Sequence, residues 1–294
     1  MIRHIIYIFL ILFYSCSEEQ GLDITAINFG SINSLDVITW NIENFPKNSA
    51  TIDYVSELIN AFDDIDIIAL QEISNQSAFN NLINSLNSDN WSGFRDPESN
   101  YGELSYLINT NNIIILDEPY TILEDYGYSF AYRLPYVTKI LFNDEEYILI
   151  NIHLKCCGDG QIDENDSGDE ETRRLWANYY LKQYIDTHFS DSHVIVLGDF
   201  NDELTDYNSD NVFQNFLDDS NYYFSDFDIA SGDSNNWSFP GWPSHLDHIL
   251  IFNEPNIFQA VTLKLDDYII GGWGKYDNYI SDHRPVGVSI LFDN

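Results

Sequence analysis

The chain has 294 residues, and 48 acidic against 12 basic side chains leave a formal charge of −36, while 44% hydrophobic content supplies a core. The 19 Phe, 20 Tyr and 6 Trp exclude a disordered acidic chain, and no period of a repeat array is present. The charge excludes a protein that coats nucleic acid with a broad basic face, since such binding draws on many Lys and Arg contacts to phosphate. It leaves open an enzyme that meets a phosphodiester locally, at a metal.

Arg3 and His4 precede an apolar run, Ile5 to Tyr14, followed by Ser15 and Cys16. A mature membrane-spanning helix needs about 20 residues, so residues 1–16 read as a signal peptide. Its end resembles the cleavage site of a bacterial lipoprotein, with Cys16 as the lipidated first residue. Ordinary secretion and an uncleaved anchor are the other readings. Residues 17–33 then form a polar tether, and residues 34–294 a single domain without a linker-like break. The expected protein is an exported monomer at the bacterial cell envelope, touching membrane only through its lipid.

Leu35 to Asn41 and Ile65 to Leu70 read as buried strands. Between them Ile52, Val55, Leu58, Ile59 and Phe62 lie at helical spacing after a cap candidate, Ser49. Phe79, Leu82, Ile83 and Leu86 mark a second helix. Strand-like runs follow at Leu104 to Ile108, Ile113 to Leu116, Tyr136 to Phe142 and Tyr147 to Leu154, the last two forming a hairpin around Asn143-Asp144-Glu145. An acidic loop, Gly158 to Glu171, leads into a helix with Trp176, Tyr180, Tyr184 and Ala177, Leu181, Ile185 as one stripe. A strand over His193 to Asn201, a short helix over Val212 to Leu217, a long polar loop to Ser244, and strands near Leu246 to Phe252, Ile257 to Leu265 and Val286 to Phe292 complete the chain. The alternation of strands and helices predicts an α/β fold.

With Cys16 assigned to the anchor, only Cys156 and Cys157 remain, so no disulfide framework exists. The pair fits a vicinal disulfide, two small buried thiols, or, with His153, a soft-metal site.

Polar residues that end apolar strands are informative, because their burial costs free energy unless a partner or ligand compensates. They are Asn41 with Glu43 and Asn44, Glu72 after Gln71, His153 after Asn151, Asp199 with Asn201, Asp247 after His245, and Asp282-His283. Singly, each also reads as a cap, a turn or a satisfied core group. Together they mark strand ends that converge in a packed sheet structure.

The segments TWNIENF (Thr39 to Phe45), IIALQEI (Ile67 to Ile73), INIHLK (Ile150 to Lys155), VLGDFND (Val196 to Asp202), HLDHIL (His245 to Leu250) and SDHRPV (Ser281 to Val286) resemble, in this order, the endonuclease/exonuclease/phosphatase superfamily. The resemblance implies a four-layer α/β/β/α sandwich with two packed mixed sheets, and a divalent-metal-dependent phosphodiester hydrolase. It implies Mg²⁺ or Mn²⁺ held by Glu72 with Asn41 and Asp282, in keeping with a preference for hard oxygen ligands. Asp199 and His283 would share the deprotonation of water, Asn201 would position water or phosphate, and Asp247 would orient His283. His153 would stabilise the pentacovalent phosphorus or protonate the leaving group.

Arg133, Lys155 and Arg284 are the candidate substrate contacts, within a basic rim that includes Lys47, Arg173 and Arg174. Tyr106 and Tyr136 are further phosphate-side candidates. Asp163, Asn165, Ser167, Gly168 and Asp169 resemble half of a calcium loop, although Arg174 stands where a bidentate Glu would be required, and a solvated acidic loop is the plainer reading. The aromatic residues of Trp237 to Trp242 stack on bases, cover a lipid or sugar, or pack the loop. The leading expectation is a surface-anchored or extracellular nuclease contacting nucleic acid locally. The alternatives are a phosphatase or phospholipase-type phosphodiesterase on small or lipid esters, and a non-catalytic acidic surface binding protein.

Overall fold

The computed structural model describes residues 22, 24, 26–87, 89–97, 103–253 and 258–291. The apolar leader and Cys16 lie outside these residues.

Two six-stranded sheets face each other. One comprises β1 (Ser34–Phe45), β2 (Ile67–Ile73), β3 (Trp91–Arg95), β4 (Ser105–Asn109), β11 (Phe258–Thr262) and β12 (Val286–Leu291), in the order β11-β12-β1-β2-β4-β3. The other comprises β5 (Ile114–Thr121), β6 (Tyr136–Phe142), β7 (Glu145–His153), β8 (His193–Asp199), β9 (Tyr222–Phe224) and β10 (Asp247–Phe252), in the order β5-β6-β7-β8-β10-β9. Each sheet is mixed, with a central parallel pair, β1/β2 or β7/β8, among antiparallel neighbours.

Period-two alternation builds the layers. Leu35 and Val37, Ile67 and Ala69, Tyr147 and Leu149, and Ile195 and Leu197 point between the sheets. Ile38, Trp40, Ile68 and Leu70 point outward under α1 (Thr51–Asn60), α2 (Gln76–Asn84) and α6 (Trp273–Tyr279). Ile148, Ile150, Val194 and Val196 do the same under α3 (Glu170–His188), α4 (Gln214–Leu217) and α5 (Phe227–Ala230). The result is the expected α/β/β/α sandwich.

Several elements differ from the sequence expectation. Ile27 and Phe29 are buried in the core, and Leu22 and Ile27 make bridges to Ile269 and Phe62, so the folded unit begins within the expected tether. On α3 the Ala177, Leu181, Ile185 row is buried, whereas Trp176, Tyr180 and Tyr184 form a separate row at the helix edge. Ser49 does not cap α1; its N-cap is Ala50, and Asn48 Oδ1 accepts the Ala50 amide at 2.8 Å. The 143–144 hairpin forms, with Asn143 and Asp144 at φ 52° and 66°, the left-handed pair that a two-residue turn requires.

Candidate active site

The inner faces of the strands change from apolar to polar at one end of the sandwich. On β1 the row Leu35, Val37 continues into Thr39 and Asn41; on β7, Tyr147 and Leu149 continue into Asn151 and His153; on β8, Ile195 and Leu197 lead to Asp199. Gln71 Nε2 donates to Asn151 Oδ1 at 2.8 Å, and Asn151 Nδ2 donates to the carbonyls of Leu70 and Ser105 at 3.0 Å each, tying the sheets together beneath the site. Above this network opens a cleft of about 450 Å³ lined by Asn41, Glu72, His153, Asp199, Asn201, Asp282 and His283, among others.

Strand register sets one wall. His153 pairs with Asp199 across the parallel β7/β8 ladder, and Asp199 pairs with Asp247 across the antiparallel β8/β10 ladder, so three site residues occupy a single cross-strand row. Asp199 is the hub. Its Oδ2 accepts Asn41 Nδ2 at 2.9 Å and lies 3.5 Å from His153 Nε2 and 3.8 Å from His283 Nε2, while Oδ1 accepts the Asn201 amide at 2.9 Å. Asn201 Nδ2 donates to the Leu154 carbonyl at 3.2 Å. His283 Nδ1 donates to Asp247 Oδ2 at 2.7 Å, which fixes the ring.

Burial sets the charges apart. It raises the Asp199 carboxyl above the ordinary range, an effect that Asp247 reinforces and His283 opposes. For His283, burial works against the charged form, but Asp247 and Asp199 outweigh it and raise the imidazole to about 10. His153 is driven well below its ordinary value by burial and by the Arg133 guanidinium, so it is neutral.

The opposite wall offers hard oxygen donors. Strict alternation would turn Glu72 outward with Ile68 and Leu70, yet its backbone is left-handed at φ 63°. The twist brings Glu72 Oε1 to Asn41 Nδ2 at 3.3 Å and Oε2 to the Asn44 amide at 2.8 Å. Left-handed backbone costs a residue bearing a Cβ roughly 1–3 kcal/mol and clusters at functional sites. The Asn41 Oδ1 atom beside this carboxylate is buried with no partner, an unmet acceptor of the kind that a bound cation satisfies. Asp282 lines the same cleft, its Oδ1 3.9 Å from His283 Nε2, and burial raises its carboxyl. An amide oxygen and two carboxylates fit a Mg²⁺- or Mn²⁺-type ion.

The expected cationic rim is not found among the described residues that line this cleft. Arg133 donates through Nε to the His153 carbonyl at 2.9 Å and through Nη2 to that of Leu154 at 2.5 Å. Arg284 forms a bidentate pair with Asp266, both bonds 2.8 Å, and Arg174 is buried against Asp202 and Glu171. Lys47 pairs with Glu43 and Asp277, Arg173 donates to the Tyr128 carbonyl, and Lys155 lies 3.6 Å from Glu170. No Lys or Arg is among the described residues lining the cleft. In so acidic a chain, carboxylates and carbonyls inside the fold claim most of the cations. Tyr106 is buried between the sheets, stacked on Tyr136 and donating to its carbonyl at 2.9 Å, rather than reaching the cleft.

The acidic loop holds itself. Asp163 Oδ1 accepts the Asn165 amide at 3.0 Å, Asp166 Oδ1 accepts that of Gly168 at 2.8 Å, and Asp169 caps α3 through the Thr172 amide at 2.8 Å. Asp159, Asp169 and Glu171 cluster closely, but the buried pairing of Arg174 removes it from any calcium loop.

The supports behind the site include residues that no strand-end pattern marks. Ser281 Oγ donates to the Asn41 carbonyl at 2.7 Å and accepts the His283 amide at 3.0 Å. Asp226 Oδ2 accepts His245 Nε2 at 3.0 Å and His248 Nδ1 at 2.6 Å, and Oδ1 accepts the Ile249 amide at 3.0 Å. His248 Nε2 faces the Asp202 carbonyl at 3.0 Å, so both its nitrogens need protons and it is a buried imidazolium. Accordingly Asp226 raises His248 against the opposing effect of burial, and the imidazolium lowers Asp226. The second His of HLDHIL was the available signal. Phe239 packs on His283 with ring centroids 4.8 Å apart, and Trp242, 78% exposed, stands at the cleft.

Residues 38–283 match the model of the Endonuclease/Exonuclease/phosphatase family. No curated protein matches the chain significantly. Among solved structures, D. rerio TDP2 complexed with single strand DNA product is 13% identical over 88% of this chain and 99% of that one, with a TM-score of 0.65. The human Nocturnin catalytic domain with bound sulfate anion is 16% identical over 89% and 94%, with a TM-score of 0.62. An endonuclease/exonuclease/phosphatase family protein from Bacteroides thetaiotaomicron is 17% identical over 89% and 98%, with a TM-score of 0.60. At such identities the likeness establishes a common fold.

Proposed function

This chain belongs to the endonuclease/exonuclease/phosphatase family, whose members are hydrolases acting on phosphoester bonds, and on that premise we propose that it is a divalent-metal-dependent nuclease, exported and held at the cell envelope through Cys16 or secreted. The observation that carries the hydrolytic reading is the meeting of Asp199 and His283 with Asn41 and Glu72 in one cleft, with Asp247 buried behind His283.

In this reading Asn41, Glu72 and Asp282 would hold a divalent ion, which would supply positive charge to the phosphoryl and leaving oxygens. Asp199, its basicity raised by burial, takes the proton of the attacking water. His283 is already protonated, so the deprotonation shared in the family resemblance falls to Asp199; the His283 imidazolium, steadied by Asp247, offers positive charge to the phosphate. Neutral His153 serves as a hydrogen-bonding group to a phosphoryl oxygen, and the Asn201 side chain orients the water or phosphate. Trp242 supplies an exposed face on which a base stacks. The sequence signals at residues 1–16 support export.

The lack of a Lys or Arg among the described lining residues favours a second reading, a phosphatase or phospholipase-type activity on small or lipid esters. Incubation of the purified chain with plasmid DNA, a generic phosphodiester and a phosphomonoester, each with Mg²⁺, Mn²⁺ or EDTA, separates the readings. Metal-dependent nicking supports the nuclease, turnover of the small esters alone supports the second reading, and no turnover of any substrate returns the acidic binding protein.

A further inference from the structure

The turn after β7 carries a chemistry that hydrolysis does not use. Cys156 and Cys157 are free and exposed, and both line the cleft beside His153 and Asp199. Their sulfurs stand 3.0 Å apart, so a disulfide of about 2.0 Å needs an approach of roughly 1 Å.

The backbone holds them in this relation. Arg174 Nη1 donates to the carbonyls of Lys155 and Cys157 at 2.7 Å each, while its Nε binds Asp202 and its Nη2 faces Glu171. Cys157 is left-handed at φ 73°, and a Cβ on the following Gly158, at φ 116°, would lie 2.1 Å from the Glu171 carboxylate. The clamp therefore fixes an unfavourable turn that presents the two thiols to each other. Two donors aim at Cys156 Sγ: the Cys157 thiol at 3.0 Å and the Lys155 ammonium at 3.7 Å. The bond that Cys156 Sγ accepts keeps the Cys157 thiol protonated, raising it above its ordinary value.

We propose that Cys156 and Cys157 form a reversible dithiol–disulfide couple in the wall of the cleft, oxidised by exchange with an exogenous small-molecule or protein disulfide. The Cys156 thiolate attacks one sulfur of that disulfide, whose S–S bond breaks and releases the first thiol. Cys157 loses its proton and attacks Cys156 Sγ, forming the vicinal disulfide and expelling the second thiol. Two protein thiols give up two electrons and two protons; the exogenous disulfide becomes two thiols. Anything entering the cleft then meets either two S–H groups or one apolar disulfide.

The test equilibrates the full chain with mixtures of oxidised and reduced glutathione, quenches it with acid, alkylates it, and weighs the tryptic peptide 156–173. The expected product has lost the mass of two hydrogens, carries no persistent glutathione, and returns to the dithiol with reductant. Cys157→Ser should trap glutathione on Cys156, and Cys156→Ser should react about ten-fold more slowly. In urea, where the Arg174 clamp is gone, the wild type should require a more oxidising mixture. A dithiol unchanged at every ratio, a persistent mixed disulfide in the wild type, equal trapping by both variants, or the same midpoint in urea would each overturn the proposal.

Discussion

Asp226→Asn replaces a buried carboxylate by a neutral group of the same shape. The wild-type carboxylate accepts His245, His248 and the Ile249 amide, and the side chains concerned are 2% exposed or less. Breaking a buried ion pair costs about 3–5 kcal/mol. The amide regains one neutral hydrogen bond, worth about 1 kcal/mol, leaving a loss of about 3 kcal/mol. For a domain of this size that lowers the Tm by roughly 6–12 °C.

The pH dependence has a definite sign. His248 is raised in the folded state, so its contribution is complete below about 6.5 and is lost as pH rises through the folded value. Asp226 is lowered, so its contribution is present above about 4 and is lost only as pH falls through the folded value. Urea denaturation of both proteins at pH 5.5 and pH 8.5 therefore isolates the pair, because His283 titrates in both and cancels in the difference. The stability gap should narrow at the higher pH. A gap below about 1 kcal/mol at pH 5.5, or one that widens with pH, would refute the assignment of a buried imidazolium.

Other perturbations probe other parts of the account. Asn151→Ala leaves the Leu70 and Ser105 carbonyls without their donor between the sheets and should cost about 2–4 kcal/mol in urea denaturation. Gly158→Ala drives a Cβ into the Glu171 carboxylate and should lower stability by about 1–3 kcal/mol, read as a drop in denaturation midpoint. Trp242→Ala, at an exposed position, should leave stability within about 0.5 kcal/mol and raise KM for single-stranded DNA several-fold, while KM for a small phosphodiester stays unchanged. Removal of divalent metal by EDTA should abolish turnover of every substrate and restore it on addition of Mg²⁺, followed by product release.

Much of the fold is legible in the sequence because its long strands carry clean alternation, and the polar residues at their ends mark the strand ends that meet at the cleft. Asn41, His153 and Asp199 all follow an inward-facing apolar row by two-residue steps, a pattern that sequence displays directly. Short elements were not legible: β3 (Trp91–Arg95) is half-buried throughout, and α6 contains Gly274 and Asn278, so neither offers a strong period. Glu72 shows a different limit. Its residue type was readable, but its delivery into the cleft depends on a left-handed backbone that alternation does not foretell. The cations were misplaced for an electrostatic reason: Arg174 and Arg284 lie beside motifs in sequence, yet buried carboxylates of Asp202 and Asp266 claim them. The Asp226–His248 pair escaped because its partners are 22 residues apart.

The central claim is that Asp199 takes the proton of the attacking water in a metal-dependent cleft. Asp199→Asn preserves the shape of the hub and removes its basicity, so initial rates of Mg²⁺-dependent plasmid hydrolysis by variant and wild type, at matched folded concentration, test it most directly. The account predicts a fall of about 10²–10⁴-fold with native secondary structure retained. Rates within a few-fold of wild type, from a variant shown to be folded, would contradict it.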